Sequence, residues 1–250
     1  MNDKRAEEIR QFQDCVFYPQ ERPLDLDVKK GVHPFVTISR QAGAGGHTLA
    51  QALLVQMDKE KDPLFQGWRM FDHELCMKIL RDSNLKVPLE SLLKEEYQTQ
   101  IEEILLGLMT DESPQETVIK KTFETIRALA TFGKVILVGR AGSCVTEGLP
   151  SGVHVRLAAP EPNRLRRMAD LLHLSSEKAV RKALNKQDQD RARLVKDYFN
   201  KNIDDPLLYD TVWNTGRVPM ETIASCIIAV VRQRVSSVQA GSVPVQTSLH

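Results

Sequence analysis

The sequence predicts an α/β fold in three layers, with a parallel central sheet covered by helices on both faces. Three observations lead there. Short β-like runs alternate with longer helical ones, the apolar content suffices for one large core, and a glycine-rich turn joins the first strand to the first helix. With 250 residues, 42% of them hydrophobic, one principal domain over residues 34–234 is expected rather than a string of small ones.

Taken in order, residues 1–33 are polar, are interrupted by Pro19 and Pro23, and read as an extension ahead of the domain. FVTIS (35–39) is the first expected strand, and HTLAQALLVQM the first helix, opening at about His47 or Thr48. WRMFD (68–72) is the second strand. A helical insertion then occupies 73–132, where Leu89, Leu92, Leu93, Ile101, Ile104, Leu105 and Leu108 recur at helical spacing. Pro88 and Pro114 suit first helical turns there, and the apolar stripe fits a core or a subunit contact, so a homo-oligomer is one expectation. KVILVG (134–139) and VHVRLAA (153–159) are strands, followed by helix to about 199, a strand in YDTVWN (209–214) and a last helix from about Pro219 to Arg234. Residues 235–250 lack Lys, Arg, Asp and Glu and read as a flexible tail.

The 34 Lys and Arg residues nearly balance the 33 Asp and Glu residues, which argues against nucleic acid or a membrane surface as the main partner. Any anion site must therefore be local. Cys15, Cys76, Cys144 and Cys226 form no CxxC pair, as expected of thiols in a reducing cytoplasm. The charged start MNDKRAEEIRQFQD lacks a signal-peptide core, and no stretch approaches the ~18 apolar residues of a membrane span, so a cytoplasmic protein is expected.

In parallel sheets ligands sit beyond the carboxyl ends of the strands, which directs attention to the residues after Ser39, Phe71, Val138 and Trp213. After the first strand, RQAGAGG leads into a helix. Such a turn can cradle phosphate, because glycines permit close backbone approach and the unpaired N–H groups of the helix terminus face the anion. Arg40, Gly43, Ala44, Gly45, Gly46, His47 and Thr48 are the candidate residues.

The phosphate-loop pattern GxxxxGK[ST] fits here in two registers. With Gly46 as its second glycine, His47 takes the lysine place, Thr48 keeps the hydroxyl that binds Mg2+, and Gln41 replaces the first glycine. With Gly45 in that role, Arg40 replaces the first glycine, Gly46 takes the lysine place and His47 the hydroxyl place. Both registers lack the lysine. Phosphoryl transfer then needs another cation, for which Arg40, Arg140, Arg164, Arg167 and Arg191 are available. A glycine turn that serves packing alone is the competing reading.

In chain order, ISRQAGAGGHTLA, FDHELCMKIL, VGRAGSCV, HVRLAAPEPNRLRRM, KQDQDRARLVKDYF and YDTVWNTGRV resemble the cytidylate kinase-like family over roughly residues 34–230. The resemblance implies a P-loop fold like that of nucleoside monophosphate kinases, with a substrate-side insertion at 73–132 and an arginine-bearing lid at about 175–205. It implies ATP and Mg2+ as cofactors and nucleotides as substrates. By the same resemblance Asp72 and Arg140 lie near the acceptor, Asp188, Arg191 and Arg193 belong to the catalytic lid, and Asn214, Thr215 and Gly216 lie where adenine is contacted. Arg140 stands in GRA, where cytidylate kinases carry GRD, so Ala141 replaces an aspartate.

Each candidate also has a plainer explanation. Asp72 and Glu74 suit a helix amino end, and Asp188 with Arg191 is spaced for a surface pair. Arg164, Arg166, Arg167, Lys178, Arg181, Lys182 and Lys186 fit solvated helix faces, while His73, His154 and His173 have no metal-ligand spacing. The implied activity is transfer of the ATP γ-phosphoryl group to a nucleoside monophosphate, CMP or dCMP by resemblance. A nucleotide-binding module without efficient transfer, or a kinase for another small acceptor, are the alternatives.

Overall fold

The computed structural model describes residues 33–72 and 114–241. Cys15, Cys76, His73, Glu74, Pro88 and the Leu89–Leu108 stripe lie outside the described residues, as do nearly all of the amino-terminal extension and most of the tail.

Five strands form one parallel sheet: β1 (Phe35–Arg40), β2 (Arg69–Phe71), β3 (Val135–Val138), β4 (Gly152–Ala158) and β5 (Thr211–Asn214), in the order β2-β3-β1-β4-β5. β1 is central because it is apolar on both faces, with Phe35, Val36 and Ile38 wholly buried. It pairs with β3 from Phe35 opposite Val135 to Ile38 opposite Val138, and with β4 from Phe35 opposite Gly152 to Arg40 opposite Leu157.

The helices are α1 (Gly46–Met57), α2 (Pro114–Phe132), α3 (Gly142–Val145), α4 (Glu161–Leu172), α5 (Glu177–Phe199) and α6 (Met220–Gln239). One core joins α1 and α6 to the sheet through Leu49, Leu53, Ile223, Ile227 and Val231; another joins α2 through Phe123, Ile126 and Leu129. The three-layer parallel α/β fold expected of the sequence is thus present, and α2 is described from Pro114 onward.

Several boundaries differ from expectation. α1 opens at Gly46, one residue earlier than expected, because Gly45 adopts a left-handed backbone (φ 91°) ahead of it. The stretch before 199 breaks into two helices where His173 turns left-handed and the Ser176 hydroxyl caps α5 by accepting from the Ala179 N–H. α6 runs past Arg234 to Gln239, since Val235 continues the buried stripe of Ile227, Ile228 and Val231, so residues 235–239 belong to the helix and not to a tail. No helix among the described residues is long and apolar enough to cross a membrane.

Candidate functional site

The carboxyl ends of β1, β2 and β3 open into a cavity of about 510 Å³. Arg40 and His47 border it from the glycine turn and α1, Asp72 from the end of β2, Gly139 and Arg140 from the end of β3, and Gln187, Asp190 and Arg191 from α5. This is where a parallel sheet places ligands, beside the central strand from which the chain departs in both directions.

At the turn, α1 has no side chain capping its amino end and no acidic residue in its first turn. Its first N–H groups and the positive end of its dipole are therefore available to an anion. The outer side of the turn is enclosed by protein. A Cβ at Gly43 would stand 2.5 Å from the Arg164 carbonyl oxygen, so this glycine is demanded by packing on α4. Ala44 is wholly buried, and its carbonyl accepts a hydrogen bond from the Thr215 hydroxyl at 2.9 Å.

Arg40 lies across the mouth of the turn. A Cβ at Gly46 would stand 3.1 Å from Arg40 Cδ and 3.2 Å from its Cγ and Nε, and the guanidinium reaches Gly139 beyond β3. Burial, then the like charges of Arg191 and Arg140, pull Arg40 down to about 9, with Asp72 offsetting part of the effect. It remains a cation at neutral pH. Arg191 is also lowered, by burial first, against the attraction of Asp188 and with repulsion from Arg156 and Arg140. Guanidiniums held this close in a partly dry cavity favour binding of an anion.

The backbone supports this placement of Arg140. Gly139 (φ 90°), Arg140 (φ 54°) and Ala141 (φ 54°) are left-handed in succession, a strained run that lets β3 turn sharply into α3. The acidic wall comes from the buried Asp72, whose carboxylate lies 3.2 Å from His47 Nε2, and from Asp190.

Asp188 lies on α5 but is not among the residues lining the cavity. Its carboxylate accepts from the Ala42 N–H at 2.6 Å and from Arg164 at 2.6 Å, with Arg191 at 3.4 Å, and it thereby fastens α5 to α4 and the glycine turn. Arg193 is exposed and is not among the residues lining the cavity. Thr48 is likewise exposed and off the cavity, because the helical rotation from His47 turns it away. Gly43, Ala44, Gly45 and Gly46 do not line it either.

Arg164 and Arg167 are not solvated helix faces: the first pairs with Asp188, and the second donates to the Thr215 hydroxyl at 3.2 Å. Asn214 accepts from the Gly216 N–H within its own turn.

Sequence reasoning missed Arg156, Tyr209, Gln187 and Asp190. Buried Arg156 donates to Ser39 Oγ at 2.9 Å and to Asp204 at 2.7 Å, and it adds positive potential beside Arg40. A charge in the middle of VHVRLAA was the available signal, since a buried strand rarely carries one without partners.

The sequence profile described as the cytidylate kinase-like family matches residues 35–217. The chain belongs to this family. No curated protein matched the sequence. Among solved structures, an uncharacterized protein from Eubacterium ventriosum is similar at 18% identity with a TM-score of 0.62, covering 80% of this chain and 99% of its own. Two shikimate kinases are more distant: that of Bacteroides thetaiotaomicron (12% identity, TM-score 0.43, 80% and 98% covered) and that of Acinetobacter baumannii (15%, 0.41, 80% and 94%). The cytidylate kinase-like family match spans every described strand, from β1 through β5.

Proposed function

We propose that this chain is an ATP-dependent phosphotransferase that moves the γ-phosphoryl group of ATP to a nucleoside monophosphate. The observation that supports it most is the convergence of Arg40, Arg140 and Arg191 on one cavity at the uncapped amino end of α1. In the reaction, a phosphate oxygen of the acceptor attacks the γ-phosphorus. The bond from that phosphorus to the β–γ bridging oxygen breaks, and ADP leaves with the electron pair as the nucleoside diphosphate forms.

Charge spreads over the equatorial oxygens of the moving group, and fixed guanidiniums stabilise it without reorganising. α5, fastened to the glycine turn by Asp188, walls one side of the cavity with Gln187, Asp190 and Arg191 and so helps to keep water from the reacting phosphates. Among the described residues no group of three or more His, Cys, Asp or Glu side chains is arranged for a metal ion. Magnesium in such reactions needs few protein ligands because substrate phosphates supply the rest, and the Asp72 carboxylate on the cavity wall suits that role. Held there, Mg2+ would supply charge neutralisation at the phosphates.

Incubation of the protein with ATP, Mg2+ and each nucleoside monophosphate, followed by product separation, tests the proposal. A diphosphate product is expected, with CMP or dCMP preferred on the family resemblance; none from any acceptor would refute the activity. Ala141, standing where the GRD pattern has its aspartate, favours a second reading in which the acceptor is another small molecule. That reading expects ATP to bind while every monophosphate stays unreacted.

A further inference from the structure

The missing lysine has a geometric counterpart. In the phosphate-loop pattern the lysine stands on the first turn of the helix and reaches back over the loop to the β- and γ-phosphates. Here α1 opens at Gly46 behind the left-handed Gly45, so Gly46 and His47 both stand on its first turn; in the register with Gly45 as the second motif glycine, Gly46 takes the lysine place and Arg40 that of the first glycine. The space beside Gly46 is not empty. Arg40 Cγ, Cδ and Nε pack over it at 3.1–3.2 Å from where a Cβ would be, so the stem of Arg40 fills the volume beside Gly46 into which a side chain there would grow.

Two changes at opposite ends of one turn are therefore complementary: glycine to arginine at the first motif position, and lysine to glycine at the helix start. A lysine at Gly46 would press on the Arg40 stem and displace it, while losing both would leave the turn without its own cation.

We infer that Arg40 is the transposed phosphate-binding cation of this turn, supplying from the end of β1 the charge that a lysine on α1 supplies elsewhere. The inference rests on the phosphotransferase reading. It assigns Arg40 a role different from those of Arg140 and Arg191: Arg40 ends β1 and leads directly into the turn, whereas the others come from beyond β3 and from α5. A guanidinium also differs from an ammonium in presenting a planar fork, which suits two oxygens of a polyphosphate at once.

The packing around Arg40 separates a binding role from a structural one. Among the described residues no carboxylate forms an ion pair with it, and after burial the largest charge effects on it are the repulsions of Arg191 and Arg140, which outweigh the attraction of Asp72. Removing it should leave the unliganded fold as stable as before or slightly more so, the mark of a residue held for its ligand.

The test uses the full chain and two probes, inorganic tripolyphosphate and a non-hydrolysable ATP analogue, measured by calorimetry and by thermal shift. Arg40→Ala is expected to keep the unliganded melting temperature and to lose at least tenfold in affinity for both probes. Arg40→Ala combined with Gly46→Lys is expected to recover most of that affinity, while Gly46→Lys alone loses it. Wild-type binding with Arg40→Ala within twofold of it, or a double variant that folds yet recovers nothing, overturns the inference and leaves the phosphotransferase reading standing. Wild-type protein that binds neither probe overturns both.

Discussion

The carboxylate of Asp188 accepts the backbone N–H of Ala42 at 2.6 Å, tying the middle of α5 to the glycine turn 146 residues earlier. Arg164 completes the clasp at 2.6 Å from the other carboxylate oxygen, and its Nε is buried without a partner. Asp188→Ala would leave a mostly buried guanidinium and a loop amide unsatisfied together. We expect it to destabilise the protein by about 2 kcal/mol, the pair being only partly buried. Asp188→Asn, which keeps one acceptor, should cost about half as much. Urea unfolding of the two variants beside wild type measures both; equal stability for all three would show that the clasp contributes nothing.

His154 gives a pH dependence of stability. Its Nδ1 shares a 2.8 Å hydrogen bond with the Thr37 hydroxyl, and burial pushes the imidazole down to about 4, against the pull of Asp210 and with Arg234 adding to the effect. Above the ordinary histidine value of about 6.5 the ring is neutral whether folded or unfolded, so it exerts no pH effect. As pH falls from about 6.5 towards 4 the unfolded chain takes up a proton that the folded chain refuses, and stability is lost across that window. We expect a loss of ~2 kcal/mol between pH 7 and 4.5, less than the full shift implies because the site retains some solvent contact. His154→Gln should remove this part of the slope, and parallel unfolding curves of the two proteins at each pH would contradict the assignment.

How much of this was legible in the sequence depended on whether periodicity or a distant contact carried the signal. FVTIS and KVILVG announced β1 and β3 through runs of buried β-formers, and RQAGAGG announced the turn. The inward charges of α5 had a local signal in the sequence. On α5, Val180, Leu184 and Val195 face inward, and Asp188 and Arg191 interrupt that same stripe with charges. A charge on the core face of a helix needs a partner or a ligand. What could not be read was which partner each charge meets. Arg164 and Arg167 share a helix with exposed Arg166, and only the approach of α5 and of Thr215 separates bound from solvated. The packing of Arg40 over Gly46 was similarly hidden, because spacing alone left two registers open and says nothing of which side chain fills the space beside the helix start.

His47 and Asp72 form a pair on the cavity wall at 3.2 Å, with the carboxylate buried and the imidazole half-exposed. His47→Ala should weaken ATP binding or turnover by about tenfold, the value of one hydrogen bond to a charged group. Asp72→Asn should do more, roughly a hundredfold in kcat/KM, because it removes the carboxylate on which metal binding in the proposed reaction depends. Steady-state kinetics across a magnesium titration distinguishes the two: the Asp72 variant should need more Mg2+ for half-maximal rate, and the His47 variant should not. Identical magnesium curves would remove Asp72 from that role.

Ala141 offers the sharpest test of the acceptor. It adopts a left-handed backbone (φ 54°), which Asp accepts more readily than Ala because its short polar side chain can bond locally. The residue lines the cavity and is only partly buried, so an aspartate there has both space and solvent. Ala141→Asp should therefore fold with stability within about 1 kcal/mol of wild type, relief of strain offsetting the loss of a methyl contact. It also recreates GRD at 139–141. If the acceptor is a cytidine nucleotide, the variant should lower KM for CMP severalfold with KM for ATP unchanged, since the new carboxylate can accept hydrogen bonds from the amino and hydroxyl donors of an acceptor bound beside Arg140. Should KM for CMP stay constant or rise while the variant remains folded and active, the cytidine reading fails and the acceptor must be sought among small molecules without that donor pattern.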